Sequence, residues 1–434
     1  MSGYVIRKTP GDTEWFRHDR FGMFIHWGLY AMPARHEWIK QRECISEEKY
    51  DVYFKNFDPD LYDPKEWARI AKEAGMKYAV MTAKHHDGFC LFDSKYTDFK
   101  STNAPCGRDL VREFLDAFRA EGLKVGLYYS LLDWNHPAFP AYQHPFHPRT
   151  NDESYKEREP FENYLKYMHS QVEELCSSYG KIDIMWFDFS YGDMTGEKWG
   201  ATKLVNMVRS YLPDIVLDNR LEVSGQGLGS LATENPSVYS GDFVSPEHII
   251  PPDCILNELG EPIPWESCFT LNDHWGYCAN DNNYKDESVV IRKLAECVSK
   301  SGNMLLNVGP DAEGRFTDRS MEVLRAVGKW MKKNGSSIYG CMKSEFPKPE
   351  WGRYTQNGKD VYALVIDPPV GPLPLYGIPK ERISSCRLFA GGSELKLLTD
   401  DWRTQSYNNT AFVNIPKYSA YDKILTVIKI TLKD

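Results

Sequence analysis

Polar side chains follow the apolar runs of this sequence at the points where the runs end. The run Lys181-Ile-Asp-Ile-Met-Trp-Phe-Asp188 ends on a carboxylate, and histidines, tyrosines or an arginine end four other runs. Polar groups are costly to bury unless they are paired, so a set of this kind indicates an active site. The residues in question are His26 and Trp27, Lys84, His85, His86 and Asp87, Tyr128, Tyr129 and Ser130, Asp188, and Asp218, Asn219 and Arg220.

Asp188 has two interpretations that its position alone leaves open. An aspartate after an apolar strand is often the N-cap of the next helix or one half of an ion pair. A carboxylate on a rigid strand end is equally suited to be a nucleophile or a base. Asp183 begins the same run and belongs to the opposite, structural end of the strand, so it is the natural control for any test of Asp188.

A metal site is not expected. His85 and His86 are adjacent, and neighbouring residues of a strand point to opposite faces, so both rings would not reach one ion. The ten cysteines are scattered between Cys44 and Cys386 without a C-x-x-C pair, which argues against zinc. We therefore predict no metal and no cofactor, with a metal-dependent barrel hydrolase kept as an alternative.

The elements that must position these side chains alternate between two patterns over the first three quarters of the chain. Apolar runs predict buried parallel strands, and the stretches between them have helical periodicity. About six such units within 340 residues favour a (β/α)8 barrel, a TIM barrel, whose active site lies at the carboxyl ends of its strands. The predicted strands are 21–28, 78–84, 124–130, 182–188, 215–220 and 303–309, and the predicted helices are 64–75, 109–122, 161–178, 201–212, 286–302 and 318–335.

A second region begins after residue 340 and contains only strand patterns. Short β-type runs at 360–366, 385–388, 394–398, 411–413 and 423–432 are separated by Pro/Gly loops. We predict a catalytic barrel over residues 1–340 and a small all-β sandwich over 341–434. The sandwich is expected to brace the barrel or to join copies of the chain in a homo-oligomer, rather than to bind carbohydrate. Residues 222–264 form a long aperiodic stretch, and so long a loop in a barrel is usually functional.

Composition narrows the partners and the location. The chain has 434 residues, of which 52 are Lys or Arg and 61 are Asp or Glu, so the net charge is −9 and nucleic acid is not an expected partner. No apolar stretch approaches the roughly 20 residues of a membrane span, and residues 1–10 show no signal-peptide pattern, so we expect a cytoplasmic protein without membrane partners. Aromatic residues make up 14% of the chain, which suits a core, an interface or a sugar-binding cleft.

Taken together, five motifs resemble the α-L-fucosidases of glycoside hydrolase family 29. The motifs are Trp15-Phe-Arg-His-Asp-Arg-Phe-Gly-Met-Phe-Ile-His-Trp-Gly28, Lys84-His-His-Asp-Gly-Phe-Cys90, Gly126-Leu-Tyr-Tyr-Ser130, Trp186-Phe-Asp188 and Gly302-Asn-Met-Leu-Leu-Asn-Val-Gly-Pro310. The resemblance spans roughly residues 14 to 340. It implies a barrel followed by a β-sandwich, and a metal-independent retaining exo-glycosidase that releases terminal α-L-fucose from oligosaccharides or glycosides through a fucosyl-enzyme intermediate.

The resemblance also implies roles for individual residues. Asp188 matches the nucleophile. Trp275, in Asn272-Asp-His-Trp-Gly-Tyr277, matches the aromatic wall near the methyl group of the sugar. The residues that match the rest of the fucose-binding shell are His26, Glu37, Trp38, His85, His86, Tyr129 and Arg220. Such a set fits a 6-deoxy sugar, which needs an apolar contact for its methyl group and polar partners for its hydroxyls.

The acid/base carboxyl has three candidates, since its position varies between branches of the family. Glu247, in Ser240-Gly-Asp-Phe-Val-Ser-Pro-Glu247, resembles the motif of the branch active on α-1,3/4-linked fucose, and we predict that it is the acid/base. Glu234 and Glu266 are the other candidates. A fucose-binding protein without catalysis is the second alternative function, and it would lack a competent acid.

Overall fold

The computed structural model describes residues 6–156, 159–225, 227–399, 401–415 and 421–433. Seven parallel strands form its larger sheet: β1 (Phe21–Ile25), β2 (Tyr78–Lys84), β3 (Lys124–Ser130), β4 (Ile184–Asp188), β5 (Val216–Leu217), β6 (Glu266–Thr270) and β7 (Asn303–Val308). Their order in the sheet is β5-β4-β3-β2-β1-β7-β6. The carboxyl ends of all seven strands therefore lie at one edge of the sheet.

A short segment, residues 243–247, joins the two edges of this sheet and closes it into a barrel. Phe243 bridges to Asp218, just beyond β5, while Val244 and Glu247 bridge to Trp265 and Cys268 in and beside β6, all in parallel. Its backbone bonds agree, because Glu266 N–H donates to the Val244 carbonyl at 2.9 Å. The fold is thus the predicted (β/α)8-like barrel, with an irregular segment in the place of one strand.

Helices surround the barrel. Those that the periodicity predicts cover its outer face, whereas the short helix before the first strand packs Phe16 against the interior. The helices are α1 (Thr13–Asp19), α2 (Ile39–Arg42), α3 (Glu47–Lys55), α4 (Pro64–Glu73), α5 (Leu110–Ala120), α6 (Phe161–Ser178), α7 (Ala201–Tyr211), α8 (Glu287–Ser299) and α9 (Asp318–Asn334). Side-chain caps fix several starts: Asp63, Asp109 and Asp286 each accept from backbone N–H groups of the first turn. Within the described ranges, no helix is long and apolar enough to cross a membrane.

The barrel interior is filled mostly by aromatic side chains. Phe24, Tyr78, Tyr128, Trp186 and Phe243 belong to one buried cluster that is separate from the larger cluster between strands and helices. Alternate residues of each strand face the two clusters, as the pleat requires. Part of the 14% aromatic content is therefore the packing of the barrel itself.

The C-terminal region is all-β, as predicted. Strands β8 (Met342–Lys343), β9 (Gly352–Asn357), β10 (Asp360–Val365), β12 (Ile383–Leu388) and β14 (Thr426–Leu432) form one antiparallel sheet, and β11 (Leu373–Tyr376) pairs with β13 (Thr410–Val413). Apolar side chains of both sheets share one core. The predicted run 394–398 forms only isolated bridges to its neighbours. The division at residue 340 stays a prediction.

Candidate active site

A cavity of about 260 Å³ opens at the carboxyl ends of the barrel strands. That volume is below the about 300–1,000 Å³ of pockets that enclose drug-sized ligands, and it suits one small polar molecule such as a monosaccharide. The lining residues are Phe24, His26, Trp38, His85, His86, Tyr128, Phe146, Trp186, Asp188, Phe189, Ser190, Tyr191, Arg220, Ser224, Gly225, Glu247, Cys268 and Trp275.

Asp188 ends β4 and is held from two sides. The Tyr128 hydroxyl donates to its Oδ2 at 2.7 Å, and Nη1 of Arg220 donates to its Oδ1 at 2.8 Å. Nε2 of His86 lies 4.0 Å from Oδ2. Of the two structural interpretations, the ion pair is present, with Arg220 as its partner. A carboxylate fixed by a tyrosine and an arginine on a rigid strand end also has the geometry that an oriented nucleophile needs.

Glu247 reaches the same cavity from the segment that closes the barrel. The same Nη1 of Arg220 that contacts Asp188 donates to Oε2 of Glu247 at 2.9 Å. Two oxygens bound to one nitrogen cannot lie farther apart than the sum of the two distances. That limit lies below the about 6.5–9.5 Å typical of the carboxyl pair of inverting glycosidases and near the about 5–5.5 Å of retaining ones.

The other two glutamates lie away from the cavity. Glu234 is exposed on the long loop, and its backbone N–H bonds to Glu258. Glu266 begins β6 inside the barrel, 1% exposed, and accepts a hydrogen bond from Tyr78. Burial raises the pKa of Glu266 to about 8. Neither residue lines the cavity, so Glu247 is the carboxyl that the fold brings to Asp188.

Two histidines present hydrogen-bond acceptors to the cavity. Nδ1 of His26 donates to Oδ1 of Asn307 at 2.7 Å, and Asn307 is oriented because its Nδ2 donates to the Trp275 carbonyl. Nδ1 of His86 donates to Ser130, whose hydroxyl donates onward to Leu132. Burial lowers the pKa of His26 to about 4 and that of His86 well below its ordinary value. Both rings are therefore neutral, and each keeps a lone pair on Nε2 that can accept from a sugar hydroxyl.

Comparison with known proteins decides the family. The family model described as alpha-L-fucosidase matches residues 7–336. The chain belongs to the alpha-L-fucosidase family. It is accordingly an enzyme of the alpha-L-fucosidase class.

Other alpha-L-fucosidases resemble the chain over most of its length. Alpha-L-fucosidase isoenzyme 1 from Paenibacillus thiaminolyticus is 55% identical, with a TM-score of 0.94 over 97% of this chain and 99% of that one. An alpha-L-fucosidase of glycoside hydrolase family 29 from Bacteroides thetaiotaomicron is 28% identical, with a TM-score of 0.83 over 99% and 96%. The tissue alpha-L-fucosidase of Bos taurus is 31% identical over 84% of this chain and 76% of its own.

Of the binding residues that the alpha-L-fucosidase resemblance implies, the tyrosine needs correction. Tyr129 does not line the cavity: its hydroxyl donates to Gln171 of α6 at 2.7 Å, on the outer face of the barrel. Its neighbour Tyr128 lines the cavity instead, because successive strand residues point to opposite faces. The motif alone does not say which of its two adjacent tyrosines points into the barrel, and the structure shows that it is Tyr128.

The predicted geometry of the histidine pair, with the two rings on opposite faces of a strand, is wrong. His85 and His86 both line the cavity, with ring centroids 4.0 Å apart. Strand alternation does not apply to them, because β2 ends at Lys84 and the chain turns immediately afterwards. Among the residues that the structure describes, no group of three His, Cys, Asp or Glu side chains could hold a metal ion.

Glu37 also lies outside the cavity wall. It is 7% exposed, its Oε2 accepts from the Gly276 N–H at 3.0 Å, and burial raises its pKa. Its contact holds the turn that carries Trp275, whose ring lies 5.0 Å from that of His26 in the cavity. Trp38 lines the cavity directly, 4.9 Å from the His86 ring. Glu37 thus reaches the site through Trp275 rather than by lining it.

Several lining residues were not predicted from the sequence. Phe24 and Trp186 precede His26 and Asp188 by two positions, so strand periodicity alone could have placed them on the same face. Cys268 lies on β6, a strand outside the predicted set. Six further residues come from loops and carry no periodic signal: Phe146, Phe189, Ser190, Tyr191, Ser224 and Gly225.

Proposed function

We propose that the chain hydrolyses terminal α-L-fucosides with retention of configuration, with Asp188 as nucleophile and Glu247 as acid/base. The observation that carries the proposal is the single guanidinium nitrogen of Arg220 that contacts both carboxylates, at 2.8 and 2.9 Å. It brings two carboxyl groups to one sugar-sized cavity and holds their bound oxygens closer together than the carboxyl pair of inverting glycosidases.

The reaction follows from the positions of the two carboxyl groups. Asp188 attacks the anomeric carbon while the bond from that carbon to the leaving oxygen breaks, and Glu247 gives the leaving oxygen its proton. Water then loses a proton to Glu247 and attacks the anomeric carbon, and the ester bond to Asp188 breaks. Two inversions give net retention, and Glu247 ends protonated as it began.

The other cavity residues suit a 6-deoxy sugar. His26 and His86 are neutral acceptors for hydroxyls, and the rings of Phe24, Trp186 and Trp275 offer an apolar wall for a methyl group. A related Bacteroides thetaiotaomicron structure is described as a covalent intermediate trapped with 2-fluoro-fucosyl fluoride. That description supports the double-displacement route and fucose as the sugar.

A panel of substrates tests the activity. We expect hydrolysis of an aryl α-L-fucoside, and preference among α-1,2-, α-1,3-, α-1,4- and α-1,6-linked fucose for the 1,3 and 1,4 linkages, as the motif around Glu247 suggests. Proton NMR of the first product should show the α anomer. The β anomer as first product, or turnover abolished by EDTA, would exclude the proposed mechanism. Fucose binding without turnover of any substrate would instead favour a silent binding protein.

Paired substitutions test the two carboxyl groups. Asp188→Asn should lower kcat by orders of magnitude, whereas Asp183→Asn, the same change at the opposite end of the barrel strand, should retain it. Glu247→Gln should lose far more activity on a glycan with a poor leaving group than on an activated aryl fucoside, because only the poor leaving group needs the proton. Glu234→Gln is the control and should behave like the unaltered chain on both.

A further inference from the structure

The cavity has a buried floor and a more open rim. Phe24, Tyr128, Trp186 and Cys268 form part of the floor, and each is 2% exposed or less. The floor and the catalytic carboxylates enclose space for one sugar. Whatever is bonded to that sugar must therefore lie at the rim, where Phe146, Phe189 and Tyr191 are only half-buried.

These three rim residues form one continuous aromatic surface, which we call the aromatic shelf. The ring of Phe146 lies 5.0 Å from that of Phe189 and 4.8 Å from that of Tyr191, and the last two rings are 5.4 Å apart. Trp38 backs the shelf, 5.4 Å from Phe189. Edge-to-face contacts of this kind are favourable, so the three rings stabilise one another in their positions.

The shelf is assembled from separate segments that are fastened to each other. Phe146 belongs to the loop between β3 and α6, and its carbonyl accepts from Trp134 Nε1 at 2.8 Å. Tyr191 follows β4, and its hydroxyl contacts Nε2 of His144 in the same loop as Phe146. The two loops thus meet through a polar contact behind the rings.

Phe189 occupies an uncommon backbone conformation. Its φ is 91°, in the left-handed region that non-glycine residues avoid, and it directly follows Asp188. Such a conformation costs about 1–3 kcal/mol and persists where the surrounding structure enforces it, often at functional sites. Here it places the Phe189 ring on the shelf while Asp188 remains directed into the cavity.

A second part of the rim has a different character. Ser224 and Gly225 line it beside Glu247, whose N–H donates to the Gly225 carbonyl at 3.0 Å. A small hydroxyl and bare backbone leave room and offer polar contacts, but no ring. The rim therefore combines the aromatic surface of the shelf with an open, polar part.

We propose that the aromatic shelf is the leaving-group subsite and that it takes a ring with a flat apolar face, either a pyranose or an aryl group. The shelf supplies the apolar face, while Glu247 protonates the oxygen that joins this ring to the sugar on the floor. The inference rests on the proposed function, since it assigns the second half of the same substrate. A flexible, ring-free aglycone would gain little from these three side chains.

Substrates with and without a ring at this position test the shelf. α-L-Fucosyl fluoride has no aglycone ring, whereas an aryl fucoside and a fucosyl disaccharide do. We expect Phe146→Ala and Tyr191→Ala to lower kcat/KM for the two ring substrates by about tenfold and to leave fucosyl fluoride within about twofold. Tyr191→Phe retains the ring and should retain most of the activity on all three.

Controls separate a binding role from a structural one. Tyr376→Ala removes an exposed tyrosine in the C-terminal sheets, and it should leave kcat/KM unchanged for all three substrates. Equal losses on fucosyl fluoride and on the ring substrates would overturn the proposal, since the shelf would then support the sugar site. Unchanged kcat/KM on the ring substrates would overturn it as well. Failure of the unaltered chain to hydrolyse fucosyl fluoride would instead overturn the proposed function, and the subsite with it.

Discussion

The hydroxyl of Tyr128 donates a 2.7 Å hydrogen bond to Oδ2 of Asp188, whereas Tyr129, the next residue, bonds to Gln171 outside the barrel. When the proposed ester breaks, Asp188 is the leaving group and regains its charge. A donor at Oδ2 stabilises that charge, so Tyr128 is placed to assist the second step.

We therefore expect Tyr128→Phe to slow the breakdown of the intermediate. Loss of a hydrogen bond to a charged group costs about 1.5–3 kcal/mol, so kcat should fall by about 10- to 100-fold. An activated aryl fucoside should show a pre-steady-state burst of released aglycone that is larger in the variant than in the unaltered chain.

Tyr129→Phe is the matched control. It removes the same atom from the adjacent residue, and it should lower the free energy of unfolding by about 1 kcal/mol while kcat stays close to normal. Comparable losses of kcat in both variants would contradict the assignment of Tyr128 to the site.

The tyrosine pair also shows how far the sequence could predict the site. The fold class, the ends of β2, β3 and β4 and the carboxylate at Asp188 follow from apolar runs and their terminal polar residues. The first strand ends at Ile25, three residues before the predicted end. The run from Lys124 to Ser130 is buried on both faces apart from its first residue. Hydrophobicity therefore carries no alternation that could distinguish Tyr128 from Tyr129.

The part of the barrel between β5 and β6, which contains Glu247, was harder to predict for a different reason. β5 has only two residues, and residues 243–247 make isolated bridges in place of a regular strand. Their contacts are long-range, between Asp218 and Phe243 on one side and Val244 and Trp265 on the other. No local sequence pattern encodes such contacts. The proximity of Glu247 to Asp188 is therefore visible only in the three-dimensional structure.

Arg220 should be intolerant even of lysine. Besides the two carboxylates, it donates from Nε and Nη2 to the hydroxyl and carbonyl of Ser245, and its guanidinium lies 4.3 Å over the Trp186 ring. A lysine keeps the charge but not the planar set of donors, so both carboxylates lose their orientation. We expect Arg220→Lys to lower kcat by about 100-fold or more, measured on an aryl fucoside.

Arg209→Lys provides the comparison for this change. Arg209 donates to buried Asp242 at 2.8 Å, a similar pair away from the cavity. Its replacement should lower the free energy of unfolding and leave kcat within about twofold. The reason is that kcat depends on the orientation of groups at the reacting centre, which Arg209 does not contact. If Arg220→Lys retained near-normal kcat, the bridging nitrogen would not be the element that organises the site.

The pair of Lys84 and Asp133 should matter to stability. Nζ of Lys84 lies 3.0 Å from Oδ2 of Asp133, and both side chains are 1% exposed or less. Asp133→Ala leaves a buried ammonium group without its partner, which costs about 3–5 kcal/mol. Asp253→Ala, which breaks an exposed pair with Lys343, should cost about 1 kcal/mol or less in the same urea titration. Equal costs for the two variants would contradict the buried pairing.

Glu266 should make the folded chain less stable as the pH rises. The carboxyl of an unfolded glutamate titrates near about 4.3, whereas burial raises the pKa of Glu266 in the folded chain to about 8. Between these values the unfolded chain has lost the proton and the folded chain still binds it. The contribution of this residue to the free energy of unfolding therefore falls as the pH rises from about 4 to about 8, and it is constant above that.

Glu266→Gln removes the titration and can still accept the hydrogen bond of Tyr78. We expect the variant to match the unaltered chain near pH 5 and to exceed its free energy of unfolding by up to about 3 kcal/mol near pH 7. Urea unfolding followed by tryptophan fluorescence at several pH values measures the difference. Glu234→Gln makes the same chemical change at an exposed position and should leave the pH dependence unaltered. A Glu266→Gln chain whose stability parallels that of the unaltered chain from pH 5 to 8 would show that Glu266 is ionised in the folded barrel.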